Sequence, residues 1–266
     1  MSQQIPQGFS IPDPERQPPS GRRRRLKPGV KTALWTLLLL TAVAVILFAG
    51  VFRISRITVV GNSSIPGDEV VKAAGLDGGK SYFTVNEEQV RENLERNRYL
   101  VFEGMEKQFP NAMTLYVRER AVRANVKVVS AVYLMDEEGM VLEKPAGNQL
   151  REDLPIVTGL KAGYARVGQV IVPGTEEQLS AYTELMRELI LQGFWGQASE
   201  LKVSDPDSLY LITRNGYTIH LGNAEKLRAK IGTVRAVVAE LLQMGRTGGM
   251  IEASVPGEAT YTPVGL

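Results

Sequence analysis

The sequence predicts an α+β fold that follows a single N-terminal transmembrane helix. Three observations support this. An apolar run without charge covers 32–52, the segment 53–121 has the order strand, helix, helix, strand, strand, and 122–266 places two capped helices among alternating strands. The 266 residues, 44% hydrophobic and 23% charged, suffice for two domains of ordinary globular composition. We therefore expect an anchor followed by two folded domains.

The apolar run from Thr32 to Phe52 contains no charged side chain. At about 1.5 Å of rise per residue, a helix of this length crosses the roughly 30 Å hydrocarbon core of a bilayer. A cleaved signal peptide would have a shorter apolar region and a small-x-small site after it, and 53–56, RISR, offers none. We predict an uncleaved anchor, with the cationic flank in the cytoplasm and residues 53–266 outside it.

Positive charge is concentrated in residues 1–31, where seven Lys or Arg stand against two acidic residues. The whole chain carries +2, so this +5 segment leaves −3 for the remainder. The segment is rich in proline and predicts a disordered, basic cytoplasmic tail, while the folded part shows no basic excess that would indicate a nucleic-acid partner. The chain has no cysteine and one histidine, which excludes disulfides, thiol nucleophiles and multi-histidine metal sites.

The stretch 74–81, AGLDGGKS, matches a relaxed nucleotide-binding loop, and 132–137, VYLMDE, resembles the acidic strand that would hold magnesium. A phosphate-binding loop, however, precedes the N-terminus of its helix. Here a helix begins at 66–69, PGDE, before the glycines, and Gly75 followed by Leu76 is typical of its end. We interpret the stretch as a helix cap and turn, which argues against an ATPase.

The rest of the first domain follows from caps and alternation. Asn86 predicts the start of a second helix that runs to about Tyr99, with Val85 and Val90 as a hydrophobic staple. Strand-like runs precede and follow the two helices, and a proline turn parts the last two runs. The predicted strands are 54–62, 101–107 and 113–120.

The second segment predicts an antiparallel, β-rich domain with flanking helices. Thr175 and Gln178 form a capping box that begins an amphipathic helix, which Gly193 ends. Another helix is predicted from Asn223 to Gly245, and 215–216, NG, predicts a tight hairpin turn. The predicted strands lie within 121–135, 140–143, 208–221, 250–254 and 259–262.

Several short segments carry a family resemblance through their order and spacing. They are ITVVGN at 57–62, GL at 75–76, FTVN at 83–86, FPNAMTLYVRER at 109–120, DEEGMVL at 136–142 and LPIVTG at 154–159. Together they resemble the FtsQ/DivIB family of bacterial cell division proteins. The segments ITVVGN, GL and FTVN, with VRER at 117–120, resemble the POTRA domain of that family. The resemblance makes VYLMDE part of a β-hairpin, with 136–139 as its turn.

The resemblance implies a POTRA domain over 53–121 and an FtsQ/DivIB-type β domain over 122–266. It further implies a non-enzymatic, single-pass membrane protein without a cofactor, located at the division septum. Its implied partners are FtsL-like and FtsB/DivIC-like bitopic proteins, together with other division proteins and the septal peptidoglycan synthase. Through them it would link to and regulate septal peptidoglycan synthesis. An extracytoplasmic POTRA-type chaperone or secretion module is the alternative, although no 65-residue repeat occurs here.

The C-terminal strand is the predicted partner-binding site, because sheet edges offer unpaired backbone groups to an added strand. By resemblance, the candidate contacts are Glu258, Ala259, Thr260 and Tyr261. Tyr261 is the expected anchor, since tyrosine gives a large, stiff contact area. The alternative is an edge tyrosine that packs on its own sheet. Family members often have Asp-Leu-Arg in the preceding strand, where this chain has EAS at 252–254, so no ionic contact from that arginine is expected.

A weaker candidate surface lies at the end of the first domain, where Arg118 and Arg120 flank Glu119. These residues form either a docking face or a solvated strand end that links the two domains.

Catalytic patterns are weak throughout the sequence. His220 is predicted to face solvent on a strand, and neither G-x-S-x-G nor a convincing Ser-x-x-Lys occurs. Adjacent glutamates, as at 87–88, point to different faces and predict helix starts and turns. Phe194 and Trp195 predict a core aromatic pair, with a sugar-binding platform as the alternative. We therefore predict no catalytic, metal-binding or cofactor-binding residue.

Overall fold

The computed structural model describes residues 28–263, so nearly all of the predicted basic tail lies outside the described residues. Helix α1 spans Pro28–Val51. It begins four residues before the predicted anchor 32–52 and ends one residue before the end of that anchor. Its window Gly29–Ile46 is long and apolar enough to cross a membrane. Apolar side chains such as Leu34, Leu38 and Ile46 are exposed around it, as on a helix that packs in lipid.

The first domain has the predicted order of elements. They are β1 (Arg56–Val60), α2 (Gly67–Ala73), α3 (Glu87–Glu95), β2 (Leu100–Gln108) and β3 (Ala112–Glu119). The three strands form one sheet in the order β1-β3-β2, with β1 parallel and β2 antiparallel to β3. Both helices bury apolar residues against it, among them Val70 of α2 and Leu94 of α3, which share a core with Leu115 of β3.

The glycine-rich stretch of this domain is a helix end. Gly75 has φ +70°, and the amide of Leu76 donates to the carbonyl of Val71 at 3.0 Å, which closes the C-terminus of α2. The prediction of a cap is therefore confirmed. Helix α3 ends at Glu95, short of the predicted Tyr99, because the side chain of Asn97 accepts from the Tyr99 amide in a local turn that replaces the helical hydrogen bonds.

Up to residue 263, the second domain contains nine strands and two α-helices. Its strands are β4 (Ala124–Val128), β5 (Ala131–Met135), β6 (Val141–Glu143), β7 (Ile156–Thr158), β8 (Ala198–Lys202), β9 (Leu209–Thr213), β10 (Tyr217–Gly222), β11 (Gly249–Glu252) and β12 (Thr260–Thr262), and its helices are α4 (Glu176–Leu191) and α5 (Leu227–Gln243). The strands form one sheet in the order β12-β11-β10-β9-β8-β7-β4-β5-β6. Both helices share its buried core, which includes Tyr182, Leu185, Tyr217 and Ile231.

The α+β fold is confirmed, but the second sheet is mixed rather than antiparallel. Three neighbouring pairs run parallel: β4 with β7, β7 with β8, and β10 with β11. Helix α4 connects β7 to β8, and α5 connects β10 to β11. A helical crossover between neighbouring strands returns the chain in the same direction, so these two pairs are parallel.

Two further boundaries differ from the prediction. The run 121–135 is divided by a turn at Val129, which has φ +55°, into β4 and β5. Helix α5 begins at Leu227 instead of Asn223, because the Asn223 side chain accepts from the amide of Glu225 and forms a turn. The capping box at Thr175 is confirmed, as is the glycine with positive φ after each helix, Gly193 and Gly245.

Candidate partner-binding site

Strand β12 forms an open end of the nine-stranded sheet. It pairs only with β11, through Met250 with Thr262, Ile251 with Tyr261 and Glu252 with Thr260, and in residues 28–263 no strand lies on its other side. The opposite end differs, because the segment 168–171 covers β6 with backbone hydrogen bonds of 2.8 to 3.0 Å to residues 139 and 141. Within the described chain, β12 is therefore the end of this sheet that can accept another strand.

The side chain of Tyr261 packs against its own sheet. It is half-buried, its hydroxyl donates to the Gly248 carbonyl at 3.0 Å, and its ring lies 6.3 Å from that of Tyr217. Gly249 makes this possible: its φ is +117°, and a Cβ there would lie 2.5 Å from the Tyr261 ring. The contacts match the alternative stated for Tyr261, so its role as a partner anchor stays a prediction.

The other candidate residues differ in exposure. Glu258 is exposed in the turn before β12, and Ala259 is half-buried against the core. Thr260 and Thr262 are exposed and alternate with Tyr261, so they project from the face of the sheet that carries no helix. The polar surface of this edge thus comes from Thr260 and Thr262, and the second of these was not among the predicted residues.

A hydrogen-bonded row of three residues crosses the same open face. Nε2 of His220 lies 3.1 Å from the hydroxyl of Ser208, and Nδ1 lies 2.8 Å from a carboxylate oxygen of Glu252. The ring of Tyr210 stacks on the imidazole at 4.6 Å. His220 thus lies on the open face of its strand, as predicted, but it is half-buried and has side-chain partners.

This row resembles a serine–histidine–acid arrangement but lacks its usual surroundings. The amides of Asp207 and Ser208, next to the serine hydroxyl, donate to the side chain and carbonyl of Asp205, so neither is aimed at a substrate oxyanion. Burial alone would raise the pKa of Glu252, but hydrogen bonds from Ser254 and His220 outweigh it and lower that pKa. The arrangement links β9, β10 and β11 next to the open edge.

Arg118 and Arg120 connect the two domains. Arg120, whose side chain is 13% exposed, pairs with the buried carboxylate of Asp136 and lies 2.8 Å from Glu138. Arg118 lies 2.6 Å from Glu138 and 3.2 Å from Glu103. Burial raises the pKa of Glu138, but the two guanidinium groups outweigh this and lower it. These contacts favour the alternative of a charged link, and the docking face predicted there stays untested.

Glu119, between the two arginines, holds a loop of the first domain. Its carboxylate accepts the backbone amides of residues 63, 64 and 65 at 2.7 to 3.0 Å and the hydroxyl of Ser63 at 3.0 Å. Partial burial opposes ionisation, but the hydrogen bonds outweigh it and lower the pKa of Glu119 to about 2. Its partners lie more than fifty positions earlier in the chain, so no local sequence pattern indicates this role.

The remaining candidates have structural roles. Phe194 is buried, and the indole nitrogen of Trp195 donates to the Arg123 carbonyl at 3.0 Å. The guanidinium of Arg123 lies 5.4 Å from the centre of the Trp195 ring, so that this face is not open to a sugar. The core interpretation of the pair is therefore confirmed.

Comparison with known proteins gives consistent matches over both domains. A family profile described as "POTRA domain, FtsQ-type" matches residues 52–120, and one described as "Cell division protein FtsQ/DivIB, C-terminal" matches residues 124–253. DivIB of Clostridium botulinum is 21% identical over 245 residues, which is 90% of this chain and 92% of that protein. FtsQ of Syntrophotalea carbinolica is 26% identical over 238 residues, 82% of this chain and 79% of that protein.

Among solved structures, the major extracytoplasmic domain of DivIB from Geobacillus stearothermophilus is similar at 18% identity. The TM-score is 0.32, and the match covers 47% of this chain and 96% of that chain.

Proposed function

Because the chain belongs to the FtsQ/DivIB family of bacterial cell division proteins, we propose that it is a non-enzymatic assembly protein of the division septum. Helix α1 anchors it in the cell membrane, with the N-terminus cytoplasmic and residues 53–266 extracytoplasmic. Its second domain binds FtsL-like and FtsB/DivIC-like bitopic proteins, and the complex links to and regulates septal peptidoglycan synthesis.

The observation that supports partner binding is the open end of the sheet at β12. A partner segment in extended conformation can add its backbone hydrogen bonds to this strand, whereas the other end of the sheet is already covered by 168–171. Strand β12 itself has only three residues, so that a partner strand gains few backbone contacts from it alone. Affinity therefore also requires side-chain contacts on the face or the helix beside the edge.

The open face next to β12 offers polar and apolar contacts together. Met250 is 47% exposed, and Glu252, Thr260 and Thr262 are exposed beside it. Ser254 stands where family members often have arginine, and the nearest charges on this face are carboxylates. We therefore propose that a partner strand meets threonine hydroxyls and carboxylates here, and that a cation on the partner would pair with Glu252 or Glu258.

Site-directed photo-crosslinking tests this placement, because the chain has no cysteine and each introduced cysteine is unique. The full chain in nanodiscs carries a benzophenone maleimide at Thr262→Cys or, as a control, at Lys144→Cys. Lys144 is exposed and directly follows β6 at the opposite end of the sheet. Each variant is irradiated with the purified FtsL-like and FtsB/DivIC-like proteins of the same organism.

Crosslinks to the FtsB/DivIC-like protein from Thr262→Cys, but not from Lys144→Cys, are expected. Crosslinks from Lys144→Cys alone would move the site to the opposite end of the sheet. Absence of any complex with both partners present would contradict the proposed partners and favour the secretion-module alternative.

A further inference from the structure

Four aromatic rings form a cluster at the end of the first domain where the chain enters it. Phe52 lies 5.2 Å from Phe83 and 5.5 Å from Phe109, measured between ring centres. Tyr82 lies 5.4 Å from Phe83 and 6.0 Å from Phe109. The rings come from three separate places: the residue after α1, the loop between α2 and α3, and the turn between β2 and β3. We call this group the aromatic base.

The aromatic base exposes much apolar area although its backbone is well held. Phe83 is 57% exposed and Phe109 is 70% exposed. The amide of Tyr82 donates to the Phe52 carbonyl at 2.7 Å, and Arg53 donates to the carbonyls of 78 and 79 at 2.9 and 2.8 Å. These bonds fix the loop that presents Phe83, so the exposure is a property of the folded domain. Adjacent exposed aromatic rings of this kind mark an interaction surface.

One cationic side chain lies over a ring of the aromatic base, and two more cationic residues are close to its rings in sequence. Arg53 and Lys80 are exposed, and the ammonium of Lys107 lies 5.7 Å from the centre of the Tyr82 ring and donates to the carbonyl of Val85. One acidic residue, Asp77, is exposed in the same loop. Aromatic rings bordered by Lys and Arg are the combination that is favoured at a membrane–water interface, where rings sit at the headgroup level and cations reach phosphates.

We propose that the aromatic base lies in the headgroup layer of the bilayer that α1 crosses, and this inference rests on the proposed membrane anchor. Phe52 is covalently bonded to Val51, the last residue of α1. The 24 residues of that helix rise about 36 Å, slightly more than the roughly 30 Å hydrocarbon core. Phe52 therefore emerges at the membrane–water interface. Phe83 and Phe109 contact Phe52 directly, and Tyr82 contacts both of these rings.

The ligand of this surface is a phospholipid interface and not a soluble molecule. Contact at Phe83 and Phe109 adds two attachment points to the single covalent one at Phe52. These additional contacts would limit the rotation of the first domain about its anchor.

Quenching of tryptophan fluorescence by brominated lipids tests the proposal on the full chain. The chain has two tryptophans, Trp35 in α1 and Trp195 in the second domain. One protein keeps Trp35 alone, through Trp195→Phe. The others replace both tryptophans by phenylalanine and add Phe109→Trp or, as an exposed control, Val129→Trp, whose site is 78% exposed in the second domain. All are reconstituted in phosphatidylcholine–phosphatidylglycerol vesicles with bromine at shallow or deep acyl positions.

The expected result is strong quenching of Phe109→Trp by shallow bromine, with blue-shifted emission, and little quenching of Val129→Trp. Quenching of Trp35 with Phe109→Trp as weak as Val129→Trp would refute the membrane contact while leaving the anchor intact. Absence of quenching at Trp35 would refute the anchor and the inference together. Phe83→Trp in the same background repeats the measurement if Phe109→Trp does not fold, as judged by circular dichroism.

Discussion

The link between the two domains depends on Arg120, and the variant Arg120→Met tests it. Methionine keeps a long apolar side chain but removes the charge that pairs with Asp136. The Asp136 carboxylate is fully buried, and its remaining donors are the amides of Glu138 and Met140 at 2.9 and 2.8 Å. The variant therefore leaves a buried carboxylate with two backbone donors and without a countercharge.

Removal of one partner of a buried ion pair costs about 3–5 kcal/mol. The two amides still stabilise the carboxylate, so we expect the lower end, about 3 kcal/mol. Arg118→Met is the matched control: its side chain is 35% exposed, and its acidic partners, Glu103, Glu137 and Glu138, are 24 to 51% exposed. Exposed pairs of this kind contribute about 0–1 kcal/mol.

Urea unfolding of the full chain in detergent measures both variants. Trp195 reports on the second domain in a Trp35→Phe background, because its indole nitrogen is bonded to the Arg123 carbonyl next to the link. The double variant Arg120→Met/Asp136→Asn should lose less free energy of unfolding than the two single variants lose together. The difference should be at least about 1 kcal/mol, since the two residues are coupled. Equal losses for Arg120→Met and Arg118→Met, or strict additivity in the double variant, would refute the reasoning.

Three further predictions follow from other parts of the structure. Gly249→Ala should displace β12, because its Cβ would lie 2.5 Å from the Tyr261 ring, and amide exchange in β12 should rise while the rest of the domain stays protected. The stability that Glu119 contributes should be complete above its unfolded pKa of 4.5 and be lost as the pH falls towards its folded pKa of about 2. Amide exchange at residues 63–65, corrected for its intrinsic pH dependence, should rise over this range, and Glu119→Gln should remove this pH dependence. Gly61→Ala should destabilise the first domain, because φ at Gly61 is +94° and the added Cβ would lie 1.9 Å from a backbone oxygen of β3. We expect a loss of more than roughly 2 kcal/mol, the size of a severe backbone clash. A thermal midpoint within about 2 °C of wild type would contradict this.

The elements that the sequence predicted well are those with local signals. Thr175 marks the N-terminus of a helix, and Gly75 and Gly245 mark the C-termini of two others, through caps that involve only a few neighbouring residues. The turn at Val129 was missed because a β-branched residue at positive φ carries no turn signal. The parallel strand pairs were missed although the helices between their strands were predicted, since strand order within a sheet depends on contacts far apart in the chain.

The candidate site was predictable only in part for the same reason. The edge position of β12 was predicted, and among residues 28–263 the strand order confirms it. The direction of the Tyr261 side chain depends on the missing Cβ of Gly249, and the row from Ser208 through His220 to Glu252 depends on the register of three strands. Neither relation leaves a pattern in the sequence.

The order of strands in the second sheet sets a distance between two attachments of the molecule. The first domain is joined at the turn between β5 and β6, whereas the open edge is β12, seven strand spacings from β5. At about 4.8 Å per spacing, this is about 34 Å measured along the sheet. The second sheet thus keeps its open edge well away from the link to the first domain, so a strand added at β12 would leave the Arg120–Asp136 pair undisturbed.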